Sequence, residues 1–339
     1  MDSAQTDTLE EVPPPRARGG EGETPQSARE APIDLLSMAL PPLASPQRTI
    51  GVRAFDFGRE VAVMAIVNRT PDSFYDGGST VDFDRAVEAS LLAVASGADW
   101  VDIGGVPFSP GEPLSIEDEA ARVVPVIAAV RAASDVVISV DTFHAEVARR
   151  SIAAGATVIN DTTGLSDREL IRVVADSDAT LVIVHSLAAP RTHYPRPRYE
   201  DVASEVARFL QERVELAISL GVPENRIVVD PGHDLNKNTL DSLDLTRRLS
   251  QITALGLPTM VALSNKDFIG ESLDAQKGDR LQGSLAAAVA CILQGARIVR
   301  VHEVAQTVAA VRMTEAILGL RSPAYLKHNM AEFNERATP

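Results

Sequence analysis

From Val61 onward two kinds of hydrophobic pattern take turns along the chain. Short, nearly continuous runs of Val, Ile and Leu are separated by longer stretches in which apolar residues recur at helical spacing. The first kind reads as buried strands and the second as amphipathic helices. Strands are predicted at Val61–Val67, Trp100–Ile103, Val136–Val140, Thr157–Ile159, Thr180–Val184, Ile227–Val229, Thr259–Leu263 and Ile298–Val301. Helices are predicted at Asp84–Ser96, Ile116–Ala133, Ala145–Ala154, Asp167–Ala175, Val202–Leu220, Leu240–Gln251, Gly283–Leu293 and Val304–Leu318. Gly97, Gly155 and Gly221 each follow a predicted helix, where a left-handed cap favours Gly. Strict strand–helix alternation predicts an α/β fold, a (β/α)8 TIM barrel. An open doubly wound sheet is the competing architecture, and the lack of G-x-G-x-x-G after the first strand weighs against it.

The flanks follow other patterns. Alternation in Thr49–Val52 and Ala54–Gly58 predicts an N-terminal hairpin, expected at the barrel end opposite an active site. Met1 to Glu30 is rich in Pro, Glu, Gly, Arg and Ser and cannot bury enough apolar surface to offset ordering, so a disordered extension is expected. A short amphipathic piece from Asp34 to Leu40 could dock on the body. The expected organisation is an extension over 1–45, a barrel over 46–321 and a tail over 322–339.

Composition narrows the function. The net charge of −15, from 47 acidic and 32 basic residues, repels phosphate backbones and argues against a nucleic-acid partner. It leaves room for a local basic pocket for a small anion. The single cysteine, Cys291, allows no internal disulfide, and no structural-zinc spacing is present. With no signal-peptide pattern and no run long enough for a membrane span, the expectation is a soluble cytoplasmic protein without a membrane partner.

Candidate chemistry lies at the strand ends. Ser139-Val140-Asp141, Ile159-Asn160-Asp161, Val228-Val229-Asp230-Pro231-Gly232, Ser264-Asn265-Lys266 and Val299-Arg300-Val301-His302 each end an apolar run in polar residues. In a parallel barrel these tips form one rim, so the side chains should converge on a single cup. The bland alternatives are that Asp141 or Asp230 caps the next helix and that Arg300 and His302 form a rim salt bridge. The long loop from Asn68 to Gly78 reads as a mobile lid or an ordinary surface loop. His185, His193 and His233 lack the i,i+4 spacing of a helical metal site. Pro190–Arg198, with Arg191, Arg196 and Arg198, is a basic island that suits an anionic partner or a solvated loop.

Several motifs then align as a set. Asn68-x-Thr70-Pro71-Asp72-Ser73-Phe74-x-Asp76-Gly77-Gly78, Val101-Asp102-Ile103-Gly104-Gly105, Ser139-Val140-Asp141-Thr142 and Ile159-Asn160-Asp161 resemble the dihydropteroate synthase family. Asp230-Pro231-Gly232, Ser264-x-Lys266 and Arg300-Val301-His302 continue the resemblance, which runs from about Thr49 to Leu318. It implies a TIM barrel, a homodimer, and condensation of a pterin bearing a pyrophosphate leaving group with p-aminobenzoate, with magnesium on the pyrophosphate. It also implies that Asp141, Asn160 and Asp230 bind the guanidine-like edge of the pterin and that Lys266 lies near the ring. Arg300 and His302 would hold the pyrophosphate, and Asn68 would help place metal and phosphates.

The departures are concentrated in the loops. Where the family reads G-G-E-S-T-R-P-G, this chain reads Gly104-Gly105-Val106-Pro107-Phe108-Ser109-Pro110-Gly111. Loss of one charge-assisted contact costs about 1.5–3 kcal/mol, enough for a large loss of rate. D-P-G-x-G-F-G-K becomes Asp230-Pro231-Gly232-His233-Asp234-Leu235-Asn236-Lys237, removing two flexible glycines and an aromatic wall while adding negative charge at Asp234. M-H-M becomes Val184-His185-Ser186, and S-R-K becomes Ser264-Asn265-Lys266. Arg69, at a position normally apolar, could return positive charge near the phosphates. The expectation is a homologue with synthase activity absent or strongly weakened and part of the pterin and phosphate site retained. Three rivals remain: an active dihydropteroate synthase, another pterin-barrel transferase such as a corrinoid methyltransferase relative, and a non-catalytic dimeric binding protein. For the last, the small-residue run Gly283–Ala290 is a possible interaction face, though packing on the barrel explains it equally well.

Overall fold

The computed structural model describes residues 40–68, 80–106, 111–188, 192, 194 and 197–328. The expected extension up to Ala39, the loop Arg69–Gly78, the replaced residues Pro107–Pro110, His193, Arg191, Arg196 and the end of the tail lie outside the described residues.

A hairpin comes first, β1 (Gln47–Ile50) paired antiparallel with β2 (Arg53–Asp56). Eight strands follow: β3 (Ala62–Asn68), β4 (Trp100–Gly104), β5 (Val137–Asp141), β6 (Val158–Asp161), β7 (Thr180–Val184), β8 (Ile227–Asp230), β9 (Thr259–Ala262) and β10 (Ala296–Val301). They form a closed parallel ring in chain order, with β10 pairing β9 on one side and β3 on the other. The TIM barrel is therefore confirmed and the open sheet is overturned. Around it lie α1 (Thr80–Ala95), α2 (Ile116–Ala133), α3 (Ala145–Ala154), α4 (Arg168–Ala175), α5 (Val202–Ser219), α6 (Thr239–Arg247), α7 (Ser250–Thr253), α8 (Asp267–Leu273), α9 (Leu281–Leu293) and α10 (Val304–Ile317).

Two helix expectations need correction. The stretch Leu240–Gln251 is not one helix but α6 and α7, interrupted at Arg248 and Leu249. Arg248 there turns its guanidinium to Asp244 and to Asp201, the N-cap of α5. Helix α8 was not predicted, because seven residues are too few for a helical period to show. It also explains the glycine of the small-residue run: a Cβ on Gly283 would come within 2.6 Å of Ile269 and Leu273 on α8.

Strand side chains alternate between the two faces of the ring. Outward positions such as Val63, Val101, Ile103, Ile138, Val140, Ile159, Leu181 and Val229 pack with the helices. Inward positions Met64, Trp100, Val137, Val158, Val182, Val228, Met260 and Ile298 form a separate cluster with Ile50, Phe55 and Phe57 of the hairpin region. Phe55 stacks on Phe57 at 5.5 Å and meets Trp100 edge-on at 6.0 Å. Arg48 Nη1 donates to the Ile227 carbonyl at 2.6 Å and Arg53 Nη1 to that of Asp99 at 3.1 Å, both at strand starts. Arg297 Nε donates to the Phe57 carbonyl at 2.6 Å. The hairpin thus plugs the N-terminal mouth, as expected, and the inward positions nearer the C-terminal ends remain for other work.

Candidate functional site

Those upper inward positions are polar. Register places Asn68 beside Gly104, Gly104 beside Asp141 and Asp141 beside Asn160, so adjacent strands present them at one level. Bare Gly104 leaves the gap between its neighbours open: a Cβ there would lie 3.3 Å from Asn68 Oδ1 and 3.7 Å from Asp141 Cβ. One layer lower sits Asp102, fully buried. Arg300, from the last strand, donates through Nε to Asp102 Oδ2 at 2.7 Å and through Nη2 to Asp141 Oδ2 at 3.3 Å. Ser139 Oγ donates to Asp102 Oδ1 at 2.5 Å, and Asn160 Nδ2 donates to Oδ2 at 3.2 Å. That last bond fixes the amide orientation and leaves Asn160 Oδ1 buried with no hydrogen-bond partner among the described residues.

On the next strands, Asp230 Oδ1 accepts the Gly232 N–H at 2.7 Å. Burial pushes the Asp230 carboxyl up to about 6, against the pull of that N–H, Lys266 and Arg300. Burial also raises Asp141, with Arg300 opposing. For Lys266 burial lowers the ammonium pKa, and Asp234 is the strongest group holding the charge. Burial works against the charge of Arg300 too, yet Asp102 and Asp141 together keep its pKa above the ordinary value. At the rim, Ser264 Oγ donates to Glu303 Oε2 at 2.7 Å and lies 3.0 Å from His302 Nδ1. Since a hydroxyl has one proton to give, His302 carries hydrogen on Nδ1 and presents Nε2 as the acceptor when neutral.

The structure therefore brings Asp141, Asn160, Asp230, Lys266 and Arg300 into one cup, with Asn68 and His302 at its edge. The capping alternative fails for both carboxylates, because the N-cap position of α3 is His144 and that of α6 is Asn238. The ion-pair alternative for Arg300 is realised inside the cup rather than on an outer rim. Asp161, next to Asn160, serves its own turn instead, accepting from the Thr163 N–H at 2.7 Å and the Leu165 N–H at 3.1 Å. Asp102 was missed as a site residue, although a charge in the middle of a wholly buried strand was a usable signal. Glu119 on α2 is a further buried carboxylate: it is fully buried, and neither oxygen has a hydrogen-bond partner among the described residues. Burial pushes its carboxyl up to about 7 despite Thr142 and Arg122 nearby.

Two other polar residues are tied up in structure. Lys237 Nζ contacts His185 Nδ1 at 2.9 Å, the Gly232 carbonyl at 2.9 Å and the Leu235 carbonyl at 3.0 Å, which uses all three donors. Burial pushes Lys237 down to about 7 and His185 to about 2, so His185 is neutral and accepts. His233 is buried against Phe268, ring centroids 6.1 Å apart, with both nitrogens unpartnered among the described residues.

A plugged parallel barrel with such a cup at its C-terminal mouth is the frame of a small-molecule enzyme, and the family model described as "Pterin binding enzyme" matches residues 64–302. A Mycobacterium leprae (strain TN) protein named "Inactive dihydropteroate synthase 2" is 42% identical over 81% of this chain and 98% of its own length. The Escherichia coli (strain K12) dihydropteroate synthase is 38% identical over 76% of this chain and 92% of its own length. The solved Xanthomonas albilineans dihydropteroate synthase with 4-aminobenzoic acid superposes with a TM-score of 0.74 at 38% identity, covering 80% of this chain and 98% of that one. The chain belongs to the dihydropteroate synthase family.

Proposed function

We propose that this chain binds a pterin in the barrel cup and has lost most or all of the synthase condensation. The observation that carries the binding half is the unpartnered, buried Asn160 Oδ1 beside the carboxylates of Asp141 and Asp230. A buried acceptor without a donor is costly, and a ligand edge rich in N–H groups relieves that cost. A pterin presents such an edge, and Lys266 would meet a ring oxygen. Arg300 and His302 are the groups suited to a phosphate, but Arg300 must share its guanidinium with Asp102 and Asp141.

The inactivity half rests on the second loop, 104–111, which lacks all four residues of the family's E-S-T-R, and on the similarity to a protein named inactive. Leaving-group charge develops at the pyrophosphate, and preorganised donors there carry much of the rate. Magnesium enters this reading only with the pyrophosphate. Among the described residues no group of three His, Cys, Asp or Glu forms a cage, and Asn68 contributes a single neutral oxygen. The described residues thus offer no ready-made metal cage, and a magnesium ion would come with the pyrophosphate it neutralises. The reading extends to a cytoplasmic homodimer, for which light scattering on the full chain gives the assembly state.

The test is a titration calorimetry measurement with 6-hydroxymethylpterin, together with a pyrophosphate-release assay using the pterin pyrophosphate and 4-aminobenzoate. Saturable pterin binding is expected, with turnover at least about a hundredfold below that of the E. coli enzyme assayed alongside. Comparable turnover would overturn the inactivity, and absence of pterin binding would overturn the ligand.

A further inference from the structure

The loop from β8 to α6 keeps three left-handed positions, Gly232 (φ +65°), Asp234 (φ +63°) and Asn236 (φ +52°). At the latter two the family pattern has Gly, which takes this conformation freely, whereas an L-residue brings a Cβ that crowds its own backbone there. Each substituted side chain has acquired bonds of its own. Asn236 Oδ1 accepts from Ser186 Oγ at 3.0 Å, from the Leu187 N–H at 2.7 Å and from the Ala188 N–H at 3.0 Å, pinning the loop after β7. Asp234 Oδ2 accepts from the Asp267 N–H at 2.6 Å and the Phe268 N–H at 3.4 Å, while Oδ1 accepts from Ser242 Oγ at 3.1 Å.

We propose that Asp234 is a built-in carboxylate that fills the anion-accepting corner of the cup beside Lys266, so that this side rejects ligand groups bearing a carboxylate or phosphate. The inference rests on the cup being a ligand site and deepens that reading by assigning its charge preference. Lys266 immediately precedes the amides that Asp234 occupies, and Asp234 is the strongest favourable carboxylate acting on it. An outside anion would need these same donors and would face a fixed negative charge held from both α6 and α8. The corner also keeps a polar group that the described residues do not satisfy. His233, next in the chain to Asp234, is 1% exposed, stacks on Phe268 and has no partner at either ring nitrogen among the described residues. A neutral hydrogen-bonding ligand portion suits that surrounding, and an anionic one does not.

The experiment uses the full chain, its Asp234→Gly variant, which suits the positive φ, and its Asp234→Asn variant, which keeps an oxygen on the amides but removes the charge. Each is titrated calorimetrically with 4-aminobenzoate, with inorganic pyrophosphate and with 6-hydroxymethylpterin. Asp234→Gly should bind at least one anion about tenfold or more tighter than the unaltered chain, and Asp234→Asn should gain less. The anion that gains distinguishes a carboxylate preference from a phosphate preference. A folded Asp234→Gly protein with no gain for either anion would overturn the proposal. Should that variant fail to fold, Asp234→Asn decides by the same criterion. The pterin arm stands apart: anion gain without pterin binding in any form would sink the ligand reading and leave the role of Asp234 standing.

Discussion

Two buried carboxylates show how differently one fold treats the same chemical group. Asp102 has three donors from Ser139, Asn160 and Arg300, so its charge is matched where it is buried. Glu119 has none of hydrogen-bonding geometry among the described residues, and His144 Nε2 stands 3.8 Å off. Its pKa is raised from 4.5 to about 7 by burial, so the folded chain holds that proton more tightly than the unfolded one. The associated stability is fully present below pH 4.5 and is lost as pH rises through about 7. Glu119→Gln keeps the shape and cannot ionise. In urea titrations it should therefore gain on the unaltered chain between pH 4.5 and 8, by on the order of 2–3 kcal/mol. A flat difference across that range would show that Glu119 is not held protonated.

Among the elements, the loop leaving β8 does most to shape the cup. Losing its glycines reads in the sequence as losing flexibility, but the backbone keeps the left-handed turns and only the side chains are new. Asp and Asn tolerate that conformation better than other L-residues because their short polar side chains bond locally. Gly232 has no such latitude, since a Cβ there would sit 2.2 Å from the His185 carbonyl oxygen. Gly232→Ala should cost about 3 kcal/mol or more and weaken pterin binding, because the Gly232 N–H that orients Asp230 must move. Thermal melts alongside pterin titration check both, and an unchanged melting temperature would contradict this geometry. The strand tips were legible because a polar residue ending a β-branched run is a local signal. Helix α8 and the break between α6 and α7 were not, because short helices and caps are set by packing rather than by period.

At the scale of the whole molecule, the barrel separates a dry, aromatic bottom from a polar top. Phe57 is fully buried in the plug, where Phe55 stacks against it and Arg297 holds its carbonyl. Phe57→Ala should lower unfolding free energy by about 3–5 kcal/mol while leaving pterin affinity per folded molecule near its original value. Guanidinium titration and calorimetry on the same preparation test this; loss of affinity without loss of stability would refute the separation. By itself the sequence determined the number and order of barrel strands and which of their tips are polar, since both follow from alternation and chain-local chemistry. Only the tertiary structure decided that Asp102 rather than Asp161 joins the cup, and that Asp234 closes on the start of α8. Those outcomes depend on which face of a strand points inward and on which distant amides come within reach, and neither is written in any short stretch of chain.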